Sequence, residues 1–242
     1  NVSVYFRDLQ NGPVMSINGS ENFTPASLLK LPLLVAFYKK AEDNPKLLQE
    51  KITVPASVQT LPQNVAPEAV ALSGRTYTID ELLNILIKES DNTSGHLLLE
   101  YLEKRYPQEG FVFILSDLGI IDPRRDIDEQ YITAQSYSSI FRILYNSSYL
   151  SPEMSDKALQ LLSHSVFEDG LVAGLPGNMQ VAHKFGERKL GDEQQLHDCG
   201  IVYYQPNPYM LCVMTRGTST ADLSAIIKDI SSEIYTEVEK RN

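Results

Sequence analysis

The chain has 242 residues, of which 43% are hydrophobic and 21% are charged, and this composition excludes a disordered or fibrous protein. Its 21 Lys and Arg against 31 Asp and Glu give a net charge of −10. An acidic chain without a basic run is a poor candidate for nonspecific binding to nucleic acid or to an anionic membrane surface. Its apolar stretches are shorter than the roughly 20 residues of a membrane-spanning helix.

The N-terminal part predicts two strands followed by a helix. Alternating apolar residues indicate strands at Val2–Leu9 and Val14–Asn18. Thr24 and Pro25 predict the start of a helix, with Thr24 as the N-cap and Pro25 at the first helical position. The following residues, Leu28–Tyr38, are apolar nearly all round, so we expect a buried central helix.

A long helical and loop region follows, and the chain then returns to strands. Within the helical region, Thr78 and Glu81 form a capping-box pattern that predicts a helix start. Three later strands are predicted, at Gln180–Lys184, Gly200–Tyr204 and Tyr209–Thr215, before a last helix at Ser219–Val238. This order predicts an antiparallel sheet built from both ends of the chain and flanked by helices, with an all-helical lobe inserted. We place the α/β lobe at residues 1–45 and 172–242 and the helical lobe at residues 46–171.

The two cysteines, Cys199 and Cys212, lie on the last two predicted strands. A four-residue loop at residues 205–208 would place Ile201 opposite Cys212. The cysteines would then be diagonal neighbours at about 7–8 Å, which is too far for easy bridging. We therefore expect two free thiols.

Common cofactor signatures are absent from the sequence. There is no phosphate-binding GxxxxGK[ST] loop, no HExxH, no EF-hand loop and no CxxC. The histidines are scattered without acidic residues at ligand spacing (His96, His164, His183 and His197). We expect no metal site.

A serine and a lysine stand three residues apart at the start of the buried helix, in the segment Ser27-Leu28-Leu29-Lys30. This spacing puts the hydroxyl and the amine on one helical face. A nucleophilic serine needs a base within hydrogen-bond reach, and a lysine can serve when apolar surroundings disfavour its charged form. The alternative is a solvated serine and lysine near a helix start.

Two further motifs follow in the chain. Ser90-Asp91-Asn92 comes after the helix predicted at Asp80–Lys88, and alone it also fits an ordinary polar turn. Lys184-Phe185-Gly186 comes at the end of a predicted strand, where an exposed lysine is the plainer interpretation.

The three motifs, in this order, resemble those of the class A serine β-lactamase and penicillin-binding protein superfamily. The residues around them are similar as well, at Leu29–Pro32, Ser90–Leu99, Gly170–Pro176, Val181–Glu187 and His197–Val202. The resemblance covers nearly the whole chain. It implies the serine β-lactamase/DD-peptidase-like fold, of class α/β + α.

The resemblance also implies roles for the motif residues. Ser27 would be the nucleophile and Lys30 its proton acceptor or part of the proton relay. Ser90 would pass a proton to the leaving nitrogen, and Asn92 would hold a substrate amide. Lys184 would supply positive charge near Ser90 and the substrate carboxylate.

The third motif departs from the family pattern. Phe185, Gly186 and Glu187 would line the substrate, with the N–H groups of Ser27 and Glu187 as the oxyanion hole. The family has Thr or Ser in place of Phe185, and that hydroxyl bonds the substrate carboxylate, which Phe cannot do. We expect weak or different carboxylate recognition unless a nearby cation substitutes or Phe185 stacks on an unusual substrate. Three cations are candidates for that substitution: Arg188, Lys189 and Arg216.

A second departure concerns the removal of the acyl group. Class A β-lactamases carry an ExxLN motif whose glutamate activates the deacylating water, and this chain has only the shorter segment Ile120–Ile132 in its place. After Asp122, its carboxylates are Asp126, Asp128 and Glu129. Glu129 is the best of these as a deacylation base, although a solvated acidic loop explains all three.

We therefore expect a penicillin-interacting serine acyl enzyme, most like a D-Ala-D-Ala peptidase with slow β-lactam deacylation. Two alternatives stay open: a β-lactamase with an unorthodox deacylation base, and a non-catalytic sensor or binding domain for β-lactams or cell-wall fragments. The partners would be a β-lactam or a D-Ala-D-Ala peptide, with no metal or organic cofactor and no nucleic acid, and a monomer is the favoured state. Because family members work outside the cytoplasm, we expect an exported or anchored protein whose targeting segment lies upstream of Asn1.

Overall fold

The structure is a computed structural model that describes residues 1–10, 12–58, 65, 67–122, 124 and 128–241. Its contacts group the chain into two compact units. We call the first the sheet unit (residues 1–28, 124–142 and 167–242) and the second the helical unit (residues 29–123 and 143–166). The buried helix that we assigned to the α/β lobe belongs to the helical unit, and residues 124–142 belong to the sheet unit.

Regular elements cover most of the described chain. The strands are β1 (Val2–Asp8), β2 (Val14–Ile17), β3 (Lys51–Thr53), β4 (Thr76–Thr78), β5 (Val181–Leu190), β6 (Glu193–Val202) and β7 (Tyr209–Gly217). The α-helices are α1 (Lys30–Asp43), α2 (Ile79–Lys88), α3 (Asn92–Arg105), α4 (Phe111–Asp117), α5 (Ala134–Tyr145), α6 (Pro152–Leu162) and α7 (Thr220–Lys240). Short 3₁₀ helices lie at Ala26–Leu29, Pro45–Gln49 and Val172–Gly174.

The sheet unit is built on one five-stranded antiparallel sheet in the order β2-β1-β7-β6-β5. Strand β1, from the start of the chain, pairs with β7, near its end, so that Val2 lies opposite Thr215. Helix α7 packs against β6 and β7. The predicted antiparallel sheet, formed from both ends of the chain and flanked by helices, is confirmed.

Strands β5 and β6 are longer than predicted. The predicted strand ended at Lys184, but β5 continues to Leu190, so the Lys184-Phe185-Gly186 motif lies inside the strand. The extension was missed because Glu187, Arg188 and Lys189 are polar and the strand becomes increasingly exposed toward the Gly191 turn, which removes the apolar signal.

The expectation of two free thiols was wrong, because Cys199 and Cys212 form a disulfide. The loop between β6 and β7 spans residues 203–208, which is longer than the four residues we assumed. This longer loop shifts the register, so that Ile201 pairs with Met210 and Cys199 lies directly opposite Cys212. Their Cα atoms are 3.9 Å apart, which replaces the predicted diagonal arrangement.

The helical unit packs around α1, whose residues Leu31–Tyr38 are almost fully buried. This helix contacts α2, α3, α4 and α6, as expected for a helix that is apolar nearly all round. The capping box at Thr78 and Glu81 is present at the start of α2. The unit also contains a short β3–β4 sheet that the apolar pattern did not predict.

The predicted N-cap at Thr24 was wrong, since α1 begins at Lys30 and residues Ala26–Leu29 form a 3₁₀ turn before it. Thr24 instead forms hydrogen bonds with side chains of strand β6. Its N–H donates to Oε1 of Gln195 at 3.1 Å, and its carbonyl lies 3.1 Å from Nε2 of His197. These tertiary hydrogen bonds replace the local cap that the sequence pattern indicated.

Among the described residues, the helices are all too short or too polar to cross a membrane.

Candidate active site

Three of the predicted site residues, Lys30, Ser90 and Asn92, lie together in the helical unit. Lys30 is the first residue of α1 and is 8% exposed. It donates to the Ser90 carbonyl at 2.5 Å, to Ser90 Oγ at 3.1 Å and to Asn92 Oδ1 at 2.7 Å. Because Ser90 Oγ accepts from Lys30, it can direct its own O–H elsewhere. The two side chains can therefore exchange a proton directly.

The backbone between α2 and α3 holds this cluster in place. Asp91 is the N-cap of α3 and accepts a hydrogen bond from the Ser94 N–H at 2.7 Å. Ser90 has a φ of 55°, in the left-handed region that a residue with a Cβ rarely adopts. Strained backbone of this kind clusters at functional sites. The turn-and-cap interpretation of this motif is thus correct for Asp91, while Ser90 and Asn92 reach Lys30.

Ser27 lies in the sheet unit, in the 3₁₀ turn Ala26–Leu29. The residue before it, Ala26, has a φ of 48° and is also left-handed. Left-handed backbone therefore occurs at two of the predicted motifs, at Ser90 and directly before Ser27. Strand β5 runs against this turn at Gly186. A Cβ added there would lie 2.8 Å from Leu28 Cγ and 3.1 Å from both the Leu28 N and the Pro25 O atoms. Glycine therefore lets the β5 backbone, which continues into Glu187, approach the residue next to Ser27.

Lys184 and Phe185 are both buried in β5, with exposures of 0% and 1%. The Lys184 ammonium donates to the Phe185 carbonyl at 2.9 Å and lies 4.1 Å from the centre of the Phe185 ring. The ring also stacks on Phe167, with centroids 4.3 Å apart and planes at 25°. Phe167 could not be identified from the sequence, because a single aromatic residue in a loop carries no motif signal.

Three cations were proposed as substitutes for the hydroxyl that the family has in place of Phe185. Two of them bind carboxylate or amide groups of the protein, and the third is exposed. Arg188 donates to Oε2 of Glu129 at 2.9 Å. Arg216 binds the Glu21 carboxylate and donates to Oε1 of Gln130 at 2.8 Å. Lys189 is exposed near the end of β5.

Glu129, the predicted deacylation base, has a side chain that is 70% exposed and forms the ion pair with Arg188. Asp128 accepts a hydrogen bond from the Glu129 N–H at 2.6 Å. The other predicted candidate, Asp126, lies outside the described residues. A surface ion pair is the arrangement expected of a solvated acidic loop.

Comparison with known proteins places these features in a family. Residues 1–238 match the model of the β-lactamase enzyme family. The β-lactamase VEB-1 of Pseudomonas aeruginosa is 23% identical over 235 residues, which cover 91% of this chain and 78% of that protein.

The fold agrees with solved structures of the same kind. A β-lactamase from Chitinophaga pinensis is similar, with a TM-score of 0.82 and 20% identity over 98% of this chain and 94% of that one. The structure of PBP-A is similar with a TM-score of 0.79 and 22% identity, over 99% of this chain and 90% of that one. With the family model matching almost end to end, the chain belongs to the β-lactamase enzyme family and is a serine hydrolase of the β-lactamase type.

Proposed function

We propose that the protein forms a covalent ester at Ser27 with β-lactams and with peptides ending in D-Ala-D-Ala, and that it releases β-lactam products slowly. It would thus act most like a D-Ala-D-Ala peptidase. The observation that carries the proposal is the hydrogen-bonded Lys30–Ser90–Asn92 cluster of the helical unit. A side-chain relay between a lysine and a serine serves acyl transfer, because each amide cleavage must move a proton from the nucleophile to the leaving nitrogen.

In the proposed reaction, Ser27 Oγ attacks the amide carbonyl carbon and gives its proton to the Lys30 side chain, which accepts it as a neutral amine. The carbonyl oxygen becomes an oxyanion, which the N–H groups of Ser27 and Glu187 stabilise; loss of one such donor costs about 10²–10³ in rate in comparable enzymes. The proton then passes through Ser90 to the amide nitrogen as the C–N bond breaks. Asn92 binds a substrate amide, and Lys184 faces the substrate carboxylate.

Slow deacylation is supported by the segment that replaces the family's ExxLN loop. Hydrolysis of the ester needs a base that holds and activates a water, and such a base typically contributes ~10²–10⁴-fold. Glu129 is solvent-exposed and paired with Arg188. This pairing keeps the Glu129 side chain at the surface, so we propose that deacylation proceeds without an efficient base.

One structural neighbour supports β-lactams as ligands. It is an acyl-enzyme complex of a PBP-A variant with penicillin G, similar to this chain with a TM-score of 0.79 and 23% identity over 99% of this chain. We also propose that the protein works outside the cytoplasm. The Cys199–Cys212 disulfide supports this, because disulfides persist in oxidising compartments.

Intact-protein mass spectrometry after addition of penicillin G tests the proposal. We expect an adduct of one penicillin on the wild-type protein that persists for minutes or longer, and no adduct on the Ser27→Ala variant. Ser224→Ala is a matched control, since this half-buried serine on α7 donates to the Asp169 carbonyl.

Two results would contradict the proposal. Rapid return to the unmodified mass with an excess of hydrolysed penicillin would identify a β-lactamase, and Glu129→Gln would then be the first variant to assay. No adduct on a folded wild-type protein would instead favour a non-catalytic binding domain.

A further inference from the structure

The Phe185 ring contacts both an aromatic ring and a cation. Phe167 covers one face, with centroids 4.3 Å apart and nearly parallel planes. The Lys184 Nζ atom lies over the Phe185 ring, 4.1 Å from its centre. The three side chains are buried, with exposures of 5% for Phe167, 1% for Phe185 and 0% for Lys184.

A buried ammonium needs compensating contacts, because removing a charge from water is costly. The Phe185 residue supplies two of them. Its carbonyl accepts a hydrogen bond from Nζ at 2.9 Å, and the negative face of its ring attracts the same cation. A cation over an aromatic face gains the most when water is excluded, which is the situation here. The stack on Phe167 in turn fixes the plane of the ring.

The neighbouring arginines do not duplicate this role. Arg188 is paired with Glu129, and Arg216 is paired with Glu21 and bonded to Gln130. Lys184 is the cation that the motif itself provides, and Phe185 stands directly beside it in the position of the family hydroxyl.

We propose that Phe185, which stacks on Phe167, is a positioning residue that holds the Lys184 ammonium in place. The ammonium held in this way recognises the substrate carboxylate by its charge, in place of a hydrogen bond from a hydroxyl. The part that concerns the substrate rests on the proposed function. A point charge selects for an anion but sets little directional geometry. The site therefore discriminates anionic from neutral substrates through Lys184. Phe185 and Phe167 together determine the size of the preference for the anionic substrate.

The first test measures the contact between the Lys184 side chain and the Phe185 ring in the absence of substrate. In a ¹H–¹³C spectrum of protein labelled at the lysine Cε positions, one Hε signal should be shifted upfield by the ring current of Phe185, and Lys184→Arg should remove that signal. Phe185→Leu should return it to the ordinary lysine region. A wild-type spectrum with no upfield lysine Hε signal would contradict the positioning of Lys184 by Phe185, whether or not penicillin labels the protein.

The second test compares the acylation rates of penicillin G and its neutral methyl ester. Phe185→Leu keeps an apolar side chain of similar size but removes the aromatic face. We expect it to slow acylation by penicillin G about tenfold, which is within the range of one desolvated cation–π contact, and to leave the ester's rate nearly unchanged. Phe6→Leu is the matched control, because it also removes a buried ring of the sheet unit, one that lies 5.6 Å from Tyr209.

The outcomes separate the two proposals. Equal slowing of both compounds by Phe185→Leu, or the same slowing by Phe6→Leu, would mean that the ring has only a structural role. If the wild-type protein forms no adduct with either compound, the proposed function is wrong. The lysine spectrum still shows in that case whether Phe185 holds Lys184 in place.

Discussion

The buried His197 joins the segment before Ser27 to the sheet. Its Nε2 atom lies 3.1 Å from the Thr24 carbonyl, and its Nδ1 atom is 3.3 Å from the Thr215 N–H. Since the backbone N–H must donate, Nδ1 is the acceptor and Nε2 carries the proton. The ring also meets Phe23 edge to face, with centroids 5.3 Å apart. Burial lowers the pKa of His197 to about 4, so the imidazole is neutral at physiological pH.

This lowered pKa predicts a loss of stability in mild acid. Between about pH 6.5, the ordinary His value, and pH 4, the unfolded chain binds a proton at His197 that the folded protein does not. The free energy of unfolding therefore falls as the pH drops through this range, by up to ~1.4 kcal/mol per unit from this residue. Urea unfolding of the wild type and of His197→Gln at several pH values checks it. The difference in free energy between the two should shrink from pH 7 to pH 4, and a constant difference would contradict the assignment.

At the scale of elements, local patterns predicted the structure where neighbours in sequence determine it. The Thr78 capping box, the buried α1 helix and the start of α7 depend on nearby residues, and all three are present. The prediction failed at Thr24, whose hydrogen-bond partner Gln195 is 171 residues away, and at the cysteines, where the length of the loop between β6 and β7 determines the register. Spacing cannot reveal these partners, because it contains no information on register or on hydrogen bonds between distant segments.

The same distinction applies to the candidate site. The first two motifs identified Lys30, Ser90 and Asn92, which the structure brings together in the helical unit. They could not identify Phe167, which meets Phe185 only through the fold, nor the pairing of Glu129 with Arg188. The roles assigned to the site residues stay predictions until they are measured.

The close approach of β5 to the Ser27 turn makes Gly186 sensitive to substitution. In Gly186→Ala the new Cβ would meet Leu28 and the Pro25 carbonyl, and the two backbone atoms at 3.1 Å cannot rotate away. We expect slower acylation, by about tenfold or more, because small displacements of reacting groups have large effects on rate. Gly177→Ala is the control, since its Cβ would meet no atom within 4 Å. Penicillin labelling rates of both variants check this, and equal rates would contradict the steric argument.

At the scale of the whole molecule, the disulfide links two neighbouring strands in the middle of the sheet. Cys199 also pairs with Lys184 of the neighbouring strand β5, so the bridge lies in the same row of the sheet as Lys184. Both cysteines are fully buried. The covalent link therefore strengthens the part of the sheet next to the predicted site.

Loss of this bridge should lower global stability. The cysteines are 13 residues apart in sequence, and closing a loop of about that size contributes ~3 kcal/mol in the chain-entropy model. Urea unfolding of the double variant Cys199→Ala/Cys212→Ala should show a deficit near this value. Dithiothreitol should produce a similar loss in the wild type and none in the variant. A wild type whose stability is insensitive to complete reduction would refute the prediction.

The pairing of β1 with β7 also has a consequence for how the chain acquires its fold. The hairpin β1–β2 is made first, but an isolated two-stranded hairpin is only marginally stable in water. Its partner β7 follows about 200 residues later, which at typical rates of translation is a wait of roughly 10–40 s. The helical unit is complete at Val166, well before β7 has been synthesised. Assembly of the sheet is therefore a late event, and a nascent chain that stalls before Tyr209 carries a first strand without the neighbour it needs.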